Sequence, residues 1–217
     1  MNYSIVPLFS EVFYCNNLSD ISMEELDKVK QFLVHQKYKK HYPGDESIFG
    51  DSTVSFDLLE QDELKFLKKR LMAEVNFFKD NVLRVENLKF GITTSWAIRS
   101  KPGNESIPHY HSNCYYSGIF YVNVVPNSGD IAFKDLSPRS FTFDEQICEW
   151  NIYNSVSHTW TPENKMLILF PSGVHHQFLQ NESQIDRYSI AFNIIPLGTV
   201  GHDDSRFTYR SEDGSIT

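Results

Sequence analysis

No run of the 217 residues stays apolar for the roughly 18 positions that a bilayer-spanning helix requires. The opening Met1-Asn2-Tyr3-Ser4 lacks the basic and apolar regions of a secretory signal, so the expected setting is the cytoplasm, with no membrane partner. Cysteine is scarce. Cys15, Cys114 and Cys148 are odd in number and stand at no metal-ligand spacing, which excludes a disulfide framework and leaves structural or free thiols. Positive charge is in deficit as well: a formal net charge of −8 argues against general attraction to a phosphate backbone. A local basic patch such as Lys37 to Lys40 is compatible with that charge, but nucleic acid is a weak candidate partner. What is present is enough apolar residue, 41% by count, to bury one core, and one domain over residues 1–217 is expected.

Loose alternation through Ile5, Pro7, Phe9, Val12 and Tyr14 predicts an entering strand within residues 1–15. Ser22 and Glu25 have the spacing of a capping box, and Leu26, Val29, Phe32 and Leu33 form the apolar stripe of the helix that follows. Turn residues at Tyr42-Pro43-Gly44-Asp45 and Phe49-Gly50-Asp51 precede a second helix, marked by Leu64, Leu67, Leu71, Val75 and Phe78. From about Leu88 the pattern changes to short aromatic and β-branched runs. Strands are expected at Lys89–Arg99, Tyr115–Val125, Asp130–Phe133, Met166–Phe170, Gln177–Leu179 and Tyr188–Ile195. No glycine-rich phosphate loop occurs and no helix follows each strand, which argues against a doubly wound nucleotide-binding sheet and for an antiparallel sandwich or barrel. The stretch 134–163 reads as a long mixed loop, and the tail 201–217 as polar, with its last several residues disordered.

His109-Tyr110-His111 lies between the loop Lys101-Pro102-Gly103-Asn104 and the strand that begins near Tyr115. Neutral imidazole is the commonest protein ligand for transition metals, and residues i and i+2 of an extended segment point to one side. A third ligand is available from Val174-His175-His176. Adjacent strand residues face opposite ways, so at most one of His175 and His176 can join the first pair. Three imidazoles on one face of a metal would leave the other face open for chemistry. Arg187 opens the apolar strand Tyr188 to Asn193, and a guanidinium there needs a carboxylate, best received in bidentate fashion. Taken singly, each His pair is more often a hydrogen-bonding feature, and the Arg more often the partner of an internal Asp or Glu. The combination points to a metal site with an anion-binding arginine.

In order, the chain presents the HxH motif, Ser117-Gly118-Ile119-Phe120-Tyr121, Ser128-Gly129-Asp130-Ile131-Ala132-Phe133, Leu167-Ile168-Leu169-Phe170-Pro171-Ser172 with His176, and Arg187-Tyr188-Ser189-Ile190-Ala191-Phe192-Asn193. This series resembles the 2-oxoglutarate/Fe(II)-dependent oxygenases of marine bacteria and cyanophages, a branch of the superfamily that includes the prolyl hydroxylases. The resemblance covers about Trp96 to Pro196.

It implies a mainly β protein with flanking helices, built on a double-stranded β-helix or jelly-roll core at about 88–200, with helical support at 1–87. It also implies metal ligation by His109, His111 and His176, and binding of the far carboxylate of 2-oxoglutarate by Arg187, Ser189 and Tyr121. Fe(II), 2-oxoglutarate and O2 are the implied cofactors and co-substrates, and hydroxylation of a small molecule or peptide is the implied reaction. The superfamily usually has a carboxylate where this chain has His111, which leaves the metal with less charge compensation. Asn113, in the register His111-Ser112-Asn113, or a more distant Asp130 or Asp135, are alternatives for that position. A cupin-like metal-binding jelly roll with a ligand-binding or isomerase role and no use of 2-oxoglutarate is the second reading. Trp96, Arg99, Tyr115, Tyr116 and Trp160 are candidates to line a substrate cleft.

Overall fold

A computed structural model describes residues 4, 10–40, 49–86, 88–136 and 147–208. The predicted turn at Tyr42-Pro43-Gly44-Asp45, the strand positions Ile5, Pro7 and Phe9, part of the 134–163 stretch and the end of the tail lie outside the described residues. Among the described residues the entering strand begins only at Tyr14, as β1, Tyr14–Asn17. Helix α1, Met23–Val34, starts where the capping box places it. The Ser22 hydroxyl accepts from the Glu25 amide at 3.1 Å, and the Glu25 carboxylate accepts from the Ser22 amide at 2.8 Å. Leu26, Val29 and Leu33 bury its inner face.

Two short strands escape the sequence pattern: β2 at Tyr38–Lys40 and β3 at Asp51–Thr53. Three residues carry too little alternation to register, and these strands exist because they extend a sheet edge. Helix α2, Lys65–Phe77, follows and continues into a π-helical turn at Phe78–Leu83. The remaining strands are β4 Lys89–Ser100, β5 Tyr116–Asn123, β6 Ile131–Lys134, β7 Ser157–Trp160, β8 Met166–Pro171, β9 His175–Phe178, β10 Arg187–Leu197, β11 Thr199–Val200 and β12 Phe207–Thr208. Strand β7, exposed along its whole length, sits in the stretch read as loop. The tail does not leave the fold at once, since β12 pairs back on β11.

Seven strands form one antiparallel sheet in the order β1-β8-β5-β10-β4-β3-β2, and three form a second in the order β7-β6-β9. Period-two alternation sorts the side chains of the large sheet between two cores. Phe120, Val122, Leu167, Leu169, Ile190, Phe192 and Ile194 face α1 and α2 and join Leu67, Leu71, Val75 and Phe78 in the larger core. Tyr121, Met166, Ile168 and Phe170 face the other way and meet Ile131 and Phe133 of the small sheet. Helices therefore cover one face of the large sheet, and the small sheet covers the other, which is the layout of a jelly roll. Gly118 permits the tightest part of the helix-side packing, because a Cβ there would lie 2.2 Å from the ring of Phe192.

The β1 edge is tied to α2 by the buried Glu74. Its carboxylate accepts from the Tyr14 hydroxyl at 2.5 Å and the Asn16 amide at 3.0 Å, and it pairs with Arg70 at 2.7 Å. Removing it leaves those donors unmatched, so Glu74→Ala is expected to lower the unfolding free energy by about 2–3 kcal/mol, measured by urea denaturation. A loss under about 0.5 kcal/mol would show that the knot does not hold the edge.

Candidate metal centre

The segment carrying His109 is not a named strand, yet it docks as one beside β9. The His109 amide donates to the His176 carbonyl at 3.0 Å, and the His176 amide donates to the His109 carbonyl at 2.9 Å. Two residues on, the His111 amide donates to the Ser172 carbonyl at 2.9 Å. Both rings of the HxH pair therefore project to the side on which β9 places His176. The ring centroids lie 4.5 Å apart for His109 and His176, 5.1 Å for His111 and His176, and 5.5 Å for His109 and His111. The nitrogens that these three residues can offer to an ion all lie within 4.8 Å of one another.

Each ring has its tautomer set by a neutral oxygen. The Nδ1–H of His109 donates to the Ile107 carbonyl at 2.9 Å, and that of His176 to the Val174 carbonyl at 3.1 Å. His111 Nδ1 lies 2.8 Å from the Asn193 side-chain oxygen. With Nδ1 carrying the proton in all three, the lone pairs sit on Nε2, as metal ligation needs. Burial and mutual repulsion of the charged forms push all three pKa values down, that of His176 to about 3. At neutral pH the cluster is uncharged, with lone pairs ready. Phe170 and Phe133, packed on each other at 5.1 Å and lying 4.6 and 6.2 Å from His176, and Trp96 against His111 at 5.5 Å, form its apolar surround.

The other candidates fall elsewhere. His175 faces away from His176, pairs in register with Lys134 and packs on Tyr110 at 5.0 Å. Asn113 is exposed in a turn at φ 61°, and Asp135 is exposed just past the end of β6. Asp130 lies on the side of Arg187 and Tyr121 rather than with the histidines. Among the described residues, no carboxylate joins the three imidazoles.

Arg187 is 2% exposed at the start of β10. Its guanidinium donates to the Gly129 carbonyl at 2.5 Å and lies 4.9 Å over the ring of Phe178, but among the described residues it makes no ion pair. Loss of hydration lowers its pKa, the direction expected of a buried cation short of an anion. Gly129 is needed for that acceptor: its φ is +93°, and a Cβ would lie 2.2 Å from the Leu179 carbonyl. Ser189, buried, is the cross-strand partner of Tyr121. The Tyr121 hydroxyl, pushed up to about 12 by burial, keeps its proton and can donate. His176 and Phe178 share a face of β9 two residues apart, about 7 Å, so the arginine stacked on Phe178 lies one short ligand away from the cluster.

A cleft of about 900 Å³ opens beside the site, lined by Phe13, Phe133, Trp160, Phe170, His158 and His175 among others. Phe133 and Phe170 are walls common to the cleft and the cluster. Of the five proposed lining residues, Trp160 lines this cleft and Trp96 touches His111. Arg99 is instead paired with Asp51 at 2.6 Å, Tyr116 packs on Phe78 among the helices, and Tyr115 packs on Phe90. Sequence reasoning assigned no role to Asn193, Gly129 or Phe178. Asn193 carried a usable signal, since it stands an even number of residues from Arg187 on one strand.

A model of the family described as "Putative 2OG-Fe(II) oxygenase" matches residues 94–193. No curated protein sequence matches the chain. Among solved structures, it is similar to an oxidoreductase of the 2OG-Fe(II) oxygenase family from Burkholderia pseudomallei, at 10% identity, TM-score 0.61 and 84% coverage of each chain. It is also similar to a prolyl hydroxylase from Trichoplax adhaerens in complex with a hypoxia inducible factor peptide fragment, at 17% identity and TM-score 0.60, covering 84% of this chain and 83% of that one. A third is HygX from Streptomyces hygroscopicus with nickel and 2-oxoglutarate bound, at 13% identity and TM-score 0.54, covering 85% and 82%. At these identities the likeness concerns the fold, a double-stranded β-helix.

Unfolded histidines titrate near 6.5, whereas the three clustered ones stay neutral to lower pH, so below about 6.5 the unfolded chain binds more protons. Stability from this source is present above that pH and declines on acidification. Metal-free protein is expected to lose up to about 1.4 kcal/mol per pH unit from His176 between about pH 6.5 and 5, with His109 and His111 adding losses in the same direction. Urea midpoints for the wild type and His176→Gln across that range check it; identical pH slopes in the two would contradict it.

Proposed function

We propose that this chain, whose residues 94–193 match the 2OG-Fe(II) oxygenase family model, uses Fe(II) and 2-oxoglutarate to hydroxylate an unactivated C–H bond of a small molecule or peptide. His109, His111 and His176 hold the iron. Arg187, with Ser189 and Tyr121, takes the 5-carboxylate of 2-oxoglutarate. The observation that carries this reading is the buried Arg187, which lacks an ion-pair partner among the described residues and stands beside a cluster of three neutral imidazoles. The donor set fits: three imidazoles suit Fe(II), and a dicarboxylate would supply both the missing counter-charge at Arg187 and the charge balance that neutral ligands leave undone. The order of motifs supports the finer reading that the chain belongs to the branch found in marine bacteria and cyanophages.

Bound iron supplies activation of O2 coupled to oxidative decarboxylation of 2-oxoglutarate to succinate and CO2, with the oxidising power delivered to the substrate carbon. The chain's own task is placement. Gly129 and Phe178 fix the guanidinium, so the co-substrate is received in one orientation. Tyr121 and Ser189, opposite each other across β10 and β5, offer hydroxyl donors to the same carboxylate. Phe133, Phe170 and Trp96 keep bulk water from the histidines. The substrate enters from the cleft whose walls are Phe133 and Phe170, and its aromatic lining suits an apolar portion such as a prolyl ring or an aliphatic side chain.

Purified protein with Fe(II), 2-oxoglutarate and O2 is expected to form succinate, and His176→Ala is expected to abolish that turnover. Arg187→Ala is expected to weaken 2-oxoglutarate binding about 10- to 100-fold, measured by anaerobic titration. Binding at full strength in that variant would favour a cupin-like role without this co-substrate. Absence of both metal and succinate in the wild type would sink the oxygenase reading itself.

A further inference from the structure

We propose that Asn193 is the positioning residue that makes His111, in place of a carboxylate, the third metal ligand; this rests on the metal reading above. The three histidines are not supported alike. His109 and His176 each donate to the carbonyl two residues earlier, a bond that their own extended backbone supplies. His111 does not use that arrangement. Its Nδ1 partner comes from 82 positions away and is a side chain, the Asn193 amide oxygen at 2.8 Å.

That amide has its orientation set on both ends. Its oxygen also accepts from the Ser117 hydroxyl at 3.2 Å, and its nitrogen donates to the Thr94 hydroxyl at 3.1 Å. Thr94 and Ser117 are the register partners of Asn193 on the two flanking strands, so the contacts follow from strand pairing. Ser117 is bonded in turn to the Ser172 hydroxyl at 2.9 Å, and the Ser172 carbonyl receives the His111 amide at 2.9 Å. Backbone and ring of His111 are thereby clamped through one hydroxyl–amide relay spanning β4, β10, β5 and the residue after β8. A reversed amide would present N–H to Nδ1, move the ring proton to Nε2 and remove the lone pair that the metal needs.

The relay also defines what kind of residue works at 193. An oxygen acceptor of this length is required and a charge is not, so aspartate keeps the contact and alanine loses it. The test is Co(II) titration of metal-free protein, without 2-oxoglutarate, followed by visible absorption. The expected result is a 10- to 100-fold weaker affinity for Asn193→Ala, with affinity restored to wild-type level or better in Asn193→Asp. Nitrogen-15 shifts of His111 in the metal-free proteins give a second readout. The wild type and Asn193→Asp should carry the proton on Nδ1, and Asn193→Ala should populate both tautomers. Near-ultraviolet circular dichroism identifies unfolding of the alanine variant, in which case the His111 tautomer in Asn193→Asp against Asn193→Leu decides. Affinity of the alanine variant within two-fold of the wild type, or an unchanged tautomer, overturns the role of Asn193 alone. A wild type that binds no Co(II) overturns the metal reading and this inference with it.

Discussion

Keeping a guanidinium out of water with no ion-pair partner among the described residues is the constraint around which the inner half of the protein is organised. Arg187 has given up hydration for one carbonyl and one aromatic face. Neither neutralises it, and an uncompensated buried charge is costly. The cost is tolerable in a site whose ligand brings the opposite charge, and binding then gains what folding lost. The fold accordingly devotes a positive-φ glycine, a phenylalanine and the start of the central strand β10 to keeping that cation in place. A surface arginine would need none of these.

Strand alternation distributes the rest. On β10, Ile190, Phe192 and Ile194 face the helices, which leaves Arg187, Ser189, Ala191 and Asn193 on the inner side. One strand thus carries the proposed anion anchor at one end and, at the other, the amide bonded to His111 of the imidazole cluster. On β9 the same rule separates His176, buried beside Phe170, from His175, which lines the cleft. The chemistry is placed by a period of two residues and by the pairing of strands far apart in the chain.

That rule also explains what could be read before any coordinates. The capping box, the long strands and the opposed directions of His175 and His176 are local, and local geometry is written in neighbouring residues. Strands β2, β3 and β7 were illegible because each has three or four residues and owes its conformation to a partner rather than to its own pattern. The five proposed cleft residues divided because their environment is decided by which face of a strand they occupy; Tyr116 belongs to the helix-side core and Trp160 to the cleft. The spacing of Asn193 from Arg187 showed which face it shares, but not its hydrogen-bond partner His111, 82 residues away, nor its register partners, which no short window contains.

Gly129 has a bearing on how this scaffold could be diversified. Residues that line the cleft, such as Trp160 and Val156, stand at a partly open mouth where side-chain volume can change without disturbing the backbone beneath. Position 129 allows no such freedom, because every chiral amino acid would collide with the Leu179 carbonyl and distort the turn. A library that varies the cleft therefore has its free ground at the mouth, while Gly129, outside the cleft's lining, has to stay fixed.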